Sequence, residues 1–174
     1  MEAPEQTRRF ETLVDIISKL RGPDGCPWDR KQTHASLREN LLEECYEVLD
    51  ALDRRDGSAL CEELGDLLLQ IVLHARIASE AGDFDIGDVI NSITTKLIRR
   101  HPHVFASVAV AGVRDVLTNW EEIKKKERSK SASMLDGIPK QMPALTYGQS
   151  LQKRAARVGF DWLSDEGGID KLAE

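Results

Sequence analysis

Between residues 37 and 80 the chain spells two apolar repeats of helical period, with only the break "RDGS" between them. In the first, Leu41, Cys45, Val48 and Leu52, flanked by Leu42 and Leu49, form one stripe at about 100° per residue. In the second, Leu60, Leu64, Leu67, Leu68, Ile71, Ala75 and Ala78 form another. A further row on its far side, Glu62, Asp66, Leu69, Leu73 and Ile77, turns from acid to apolar within one turn. A helix apolar on both sides is a buried helix. The break is too short for anything but an antiparallel hairpin of helices over 37–54 and 59–80. That hairpin predicts an all-α helical bundle.

The remaining segments agree with it. Phe10, Leu13, Ile16, Ile17 and Leu20 predict a helix from about Pro4 to Leu20, followed by the turn-rich loop "RGPDGCPWDRKQTH". Ser36 and Glu39 match a capping box opening the first hairpin helix. Gly82 closes the second, Asp85 caps a helix through Arg100, and Pro102 stops it. Further helices are expected over about 115–128 and 144–157, with a turn at Gly159. Sustained alternation is absent and aromatics make up 5% of the residues, which disfavours a sheet. "SKSASMLDGIPKQMP" reads as a linker, so the expected organisation is a bundle over 1–130 and a linker with a short helical tail over 131–174.

Charge narrows the function. The net charge is −6, against the balance expected of a general binder of nucleic-acid polymers or anionic membranes. No segment has the length of a membrane span or the pattern of a signal peptide. Cys26, Cys45 and Cys61 are odd in number and lack zinc spacing, which fits reduced thiols in a cytoplasmic protein.

The acids carry the chemistry. Glu43, Glu44, Glu47 and Asp50 lie opposite the first stripe, and on that helix alone they describe a solvated face. Glu63 and Asp66 change the balance, because they project from a helix that looks buried. Gly65 between them costs about 1 kcal/mol relative to Ala, which close approach of a backbone or ligand would offset. Side by side, the two helices bring up to five carboxylates together. Two such charges about 4 Å apart repel by about 4 kcal/mol at an effective dielectric near 20. Such a cluster takes up protons or binds a cation. All-oxygen ligands select hard ions: Mg²⁺ first, Mn²⁺ as the alternative, Ca²⁺ less favoured. The Glu-x-x-His pairs of di-iron bundles are missing.

A carboxylate-held Mg²⁺ commonly recruits substrate phosphates. Lys96, Arg99 and Arg100 in "TTKLIRRHPHVF" are either a phosphate clamp or complements to a helix C-terminus. With the acid cluster present, the clamp is the better reading. His101 and His103 read as surface histidines at a helix end, and His74 as a satisfied core or interface residue. "NWEEIKKKERSK" reads as a solvated face, although Trp120 and Lys124, at i,i+4, suit a base and a phosphate. Trp28 suits either a nucleobase or, more commonly, an interface.

Together, "LLEECYEVLDAL", "ELGDLLLQIVLHARIASE", "KLIRRHPHVF" and "NWEEIKKKE" closely resemble the MazG family of nucleoside triphosphate pyrophosphohydrolases. The likeness runs from "GCPWDRKQTHASL" to "QKRAARVGFDW". It implies an all-α pyrophosphatase fold, usually a tight dimer, and Mg²⁺-dependent cleavage of NTPs or dNTPs to monophosphate and pyrophosphate. The family's metal ligands fall on Glu44, Glu47, Glu63 and Asp66, with Glu43 beside them in an outer or second-metal role. Its triphosphate contacts fall on Lys96 and Arg100, and its base-side pair on Trp120 and Lys124. Glu47 or Glu43 is the candidate catalytic base. Similar full-length members often carry two copies of the domain, and this chain resembles the first copy plus linker. The competing reading is a catalytically weak helical module that binds metal or nucleotide to dimerise or to regulate a partner.

Overall fold

The computed structural model of the chain describes residues 7–127, 135–156 and 159–160. Every regular element among them is a helix: α1 (Phe10–Leu20), α2 (Pro27–Lys31), α3 (Arg38–Arg54), α4 (Gly57–Ala81), α5 (Ile86–Arg100), α6 (Pro102–Phe105), α7 (Val113–Glu127) and α8 (Ala144–Ala156). The chain divides into two compact units, Met1–Ser107 and Val108–Glu174. This division lies N-terminal to the 130/131 boundary expected from the linker composition, and it puts α7 in the second unit.

In the first unit α3 packs along α4 as the expected hairpin, and α1 crosses the other half of α4. The junction is built by caps. Arg55 adopts a left-handed conformation at φ 55°, so that Asp56 N–H reaches back to Ala51 O at 3.1 Å. The Asp56 carboxylate then accepts from Ser58 and Ala59 N–H and opens α4. Gly82, at φ 79°, closes α4 as expected. Asp85 and Asp88 form a reciprocal capping box that starts α5.

Two expected starts move. The capping box of Ser36 and Glu39 does not form, because Ser36 is engaged in a reciprocal turn with Thr33. Its hydroxyl accepts from Thr33 N–H, and its own N–H donates to Thr33 Oγ1. Buried Leu37, 1% exposed, anchors the start of α3 by packing instead. Likewise, among the described residues α1 starts at Phe10, the first of them to pack on the core. Pro4 itself lies outside the described residues.

Ile17, Leu37, Val72 and Leu73 form the core, with Phe10, Leu13, Val14, Leu20, Leu69, Ile77 and Ile86 around them. Arg21 fastens the loop after α1 to α4. Its guanidinium donates to Glu80 at 2.7 Å and to the carbonyls of Asp29 and Gln32. Burial of α4 is one-ended. Val72, Leu73, Ala75 and Ala78 are buried, whereas Leu64, Leu68 and Ile71 stay exposed. The buried helix expected from the two apolar rows is therefore realised only where α1 and Leu37 cover it.

In the second unit α7 opens beside Asp115, whose carboxylate accepts from Ala111 N–H at 2.8 Å. Arg154 of α8 donates to the carbonyls of Asp136 and Gly137 and holds the turn around buried Ile138.

Candidate metal centre

The i,i+3 spacing that paired the acids in the sequence sets them on facing sides of the hairpin. Glu44 from α3 and Glu63 and Asp66 from α4 each offer a carboxylate oxygen, all within 4.8 Å of one another. All three side chains are half-buried rather than projecting into bulk water. Glu44 and Glu63 show the strain. Loss of water and then the charges of Asp66 and Glu47 raise the Glu44 carboxyl above its ordinary value, with Gln70 pulling the other way. Glu63 is raised by loss of water and then by Glu47, Glu62 and Asp66, against a small opposing pull from Arg54. A divalent cation relieves that repulsion, and an all-oxygen donor set suits a hard one. The residues therefore fit the metal expected from the sequence.

Glu47 is exposed and stands beside this trio, close enough for its charge to raise Glu44. Glu43 is exposed on α3 and is not among the converging carboxylates. The structure thus brings together three of the expected acids, with a fourth at the edge. At Gly65 a Cβ would meet nothing within 4 Å, so among the described residues no backbone fills the gap and the ligand alternative is the one left open.

The basic residues lie on α5. Lys96 is half-buried in an open groove of about 370 Å³ lined by Phe84, Asp88, Val89, Ser92 and Ile93, which shares no residue with the acid trio. Arg99 is exposed and Arg100 half-buried at the end of the same helix. Trp120 and Lys124 sit on α7 in the second unit, with the Lys124 amine 3.4 Å from Glu121. Trp28 is 59% exposed, on α2. His101 and His103 are half-buried and tilted against each other, and His101 Nδ1 lies 2.7 Å from Leu97 O at the end of α5. Cys61 is exposed, and Cys26 and Cys45 are half-buried free thiols.

Sequence reasoning missed Gln70 and the pairing of His74. Gln70 is buried on the acid face of α4, where it opposes the rise of the Glu44 carboxyl. The signal was its i,i+4 spacing from Asp66. His74 is not satisfied as expected: its Nδ1 meets His34, but its buried Nε2 has no partner among the described residues.

Residues 32–105 match the family described as the MazG nucleotide pyrophosphohydrolase domain. The chain is 56% identical over 145 residues to uncharacterized protein YabN of Bacillus subtilis, covering 83% of this chain and 30% of that protein. It is 49% identical over 166 residues to the nucleoside triphosphate pyrophosphohydrolase/pyrophosphatase MazG of Thermotoga maritima, covering 95% of this chain and 64% of that one. A crystal structure of a mazG-related protein from Thermotoga maritima superposes with a TM-score of 0.57 at 32% identity, covering 66% of this chain and 98% of that one. The chain thus spans less than two thirds of the length of these two curated relatives.

Proposed function

The chain belongs to the MazG nucleotide pyrophosphohydrolase family, and on that footing we propose that it hydrolyses nucleoside triphosphates, ribo or deoxy, to monophosphate and pyrophosphate. The observation that carries this reading is the convergence of Glu44, Glu63 and Asp66 within 4.8 Å. These three, with Glu47 beside them, would hold Mg²⁺, or Mn²⁺ in its place. Bound there, the ion supplies neutralising charge for phosphate oxygens.

The chain's own residues do the rest. Glu47, exposed at the rim of the trio, takes the proton of the attacking water; Glu43 is the alternative base. Water attacks the α-phosphorus, the bond from that phosphorus to the bridging oxygen breaks, and pyrophosphate leaves with the electron pair. Lys96, Arg99 and Arg100 meet the triphosphate charge. Trp120 and Lys124 are carried as base-side residues on the resemblance alone. The role is clearance of surplus or non-standard nucleotides in the cytoplasm, where the triphosphate pools lie. A homodimer is part of the proposal. It is supported by rows left exposed on the first unit, Leu42, Tyr46 and Leu49 on α3 and Leu64, Leu68 and Ile71 on α4.

A panel of NTPs and dNTPs, with and without Mg²⁺, scored for pyrophosphate against orthophosphate, tests the reaction. Pyrophosphate released only with the metal is the expected result, and orthophosphate as the first product contradicts attack at the α-phosphorus. The second reading is a non-catalytic module that binds metal or nucleotide through the same acid trio. Metal binding without turnover of any nucleotide selects it.

A further inference from the structure

Two histidines that the proposed reaction does not use join the segment between α2 and α3 to α4. His34 is exposed within residues 32–37, and His74 is half-buried on α4 with its Nε2 atom buried. Their Nδ1 atoms are 2.8 Å apart, and the ring planes are 3° from parallel. The centroids are 5.1 Å apart, which is the nitrogen separation plus the two ring radii. The rings therefore meet in one plane, nitrogen to nitrogen, rather than face over face. Two imidazole nitrogens in that arrangement hold one proton between them.

The charge of the pair decides whether the contact exists. With both rings neutral, one Nδ1–H donates and the other Nδ1 accepts. With one ring charged the same bond persists and is charge-assisted. With both charged, two N–H groups point at each other, so the second proton opens the contact. The neighbouring charges are engaged elsewhere or exposed. Arg21 of α1 and Arg76 of α4 pair with Glu80, and Glu44 of α3 and Asp66 of α4 belong to the acid trio. Lys31, Arg38 and Glu39, on either side of the segment, are exposed. Burial, and then His34, keep His74 below its ordinary value of 6.5. Between the lowered value and 6.5 the unfolded chain binds more protons at His74 than the folded one. The contribution of His74 to stability is therefore complete above 6.5 and is lost as pH falls toward the lowered value. The other end of the segment is held differently. Arg21 donates to Gln32 O at 3.2 Å and to Glu80 at 2.7 Å, and its guanidinium keeps the Glu80 carboxyl below the ordinary range. That fastening survives mild acid.

We propose that His34 and His74 form a pH-operated latch, which holds residues 32–37 on α4 at neutral pH and releases them when both rings are charged. The latch needs neither metal nor nucleotide, so its test is independent of the metal centre. Amide hydrogen exchange of the 174-residue chain, resolved by residue and corrected for the intrinsic pH dependence of exchange, reads it at about pH 7.5 and about pH 5.5. The N–H groups of Thr33, Ser36 and Leu37 all donate within the segment. Their protection is expected to fall about threefold or more at the lower pH, with a ceiling of about tenfold per pH unit for one proton. Cys26 N–H, bonded to Leu20 O in the loop that Arg21 fastens, should keep its protection. His34→Ala and His34→Gln each remove the titrating partner at an exposed position, and each should give equal protection at both pH values. Glu44 and Glu63, whose carboxyls are raised, add stability as pH falls and so cannot produce the loss. Equal protection at both pH values in the parent overturns the latch, as does a parent-like fall in either variant. A fall shared by Cys26 would mean that the whole unit loosens, and it overturns the latch as well.

Discussion

Glu63 shows how a single carboxylate weakens the fold in order to hold a charge. Its ordinary value is 4.5, and loss of water followed by Glu47, Glu62 and Asp66 raises it. Between those two values the folded chain binds more protons than the unfolded one. The contribution of Glu63 to the stability of the metal-free protein therefore rises as pH falls through the raised value, and it is complete below 4.5. Glu63→Gln removes one charge from the cluster without changing its shape. The metal-free variant is expected to melt at the same temperature as the parent or higher at pH 7, with a flatter profile on acidification. Its nucleotide hydrolysis should fall by at least about a hundredfold, at the upper end for a lost metal contact. Thermal scans at several pH values, beside the pyrophosphate assay, check both halves. A marked loss of folded protein would mean that Glu63 holds the hairpin together. The carboxylates were legible in the sequence because i,i+3 spacing and a charge are both visible there. Gln70 was not, because a neutral amide has no such signature until its burial is known.

At the scale of the element, two glycines behave in opposite ways. Gly65 lies within α4 with open space where a Cβ would be, so Gly65→Ala meets no clash. Helix propensity alone predicts that it stabilises the metal-free chain by about 1 kcal/mol, read as a higher urea midpoint. Coupled to a drop in turnover, that gain would locate substrate in the gap beside Asp66. Gly25 is the reverse case. A Cβ there would collide with the carbonyl oxygens of Lys19 and Leu20, where the loop folds back so that Cys26 N–H meets Leu20 O at 2.7 Å. Gly25→Ala is expected to cost about 2 kcal/mol or more by overpacking. Unchanged urea midpoints in both variants would contradict this account of the loop and of α4. The cap by Asp85 and the closure at Gly82 followed from residue type alone. The start of α3 did not, because Thr33 competes for Ser36 and packing of Leu37 decides the register.

For the whole molecule, the telling feature is where α4 changes neighbours. Its C-terminal half meets α1 and the core, while on the first half Leu64, Leu68 and Ile71 repeat at helical spacing and remain open. Leu42, Tyr46 and Leu49 do the same on α3, and Ile90, Ile93 and Leu97 on α5. Rows of this kind exceed the scattered apolar residues normal on a monomer's surface, and they support the proposed homodimer. The sequence made α4 look buried throughout, and a second copy would complete that burial, which a single chain cannot display. Sedimentation of the 174-residue protein is therefore expected to give twice its 19.5 kDa mass. Leu49→Glu combined with Leu68→Glu should return it to the single mass at micromolar concentration, because each places a charge in a contact that must exclude water. The acid trio is drawn entirely from one chain, so the separated variant should keep its Mn²⁺ site even where turnover is lost. A parent protein that sediments at the single mass across that range would remove the second copy, and the exposed rows would then need a different partner.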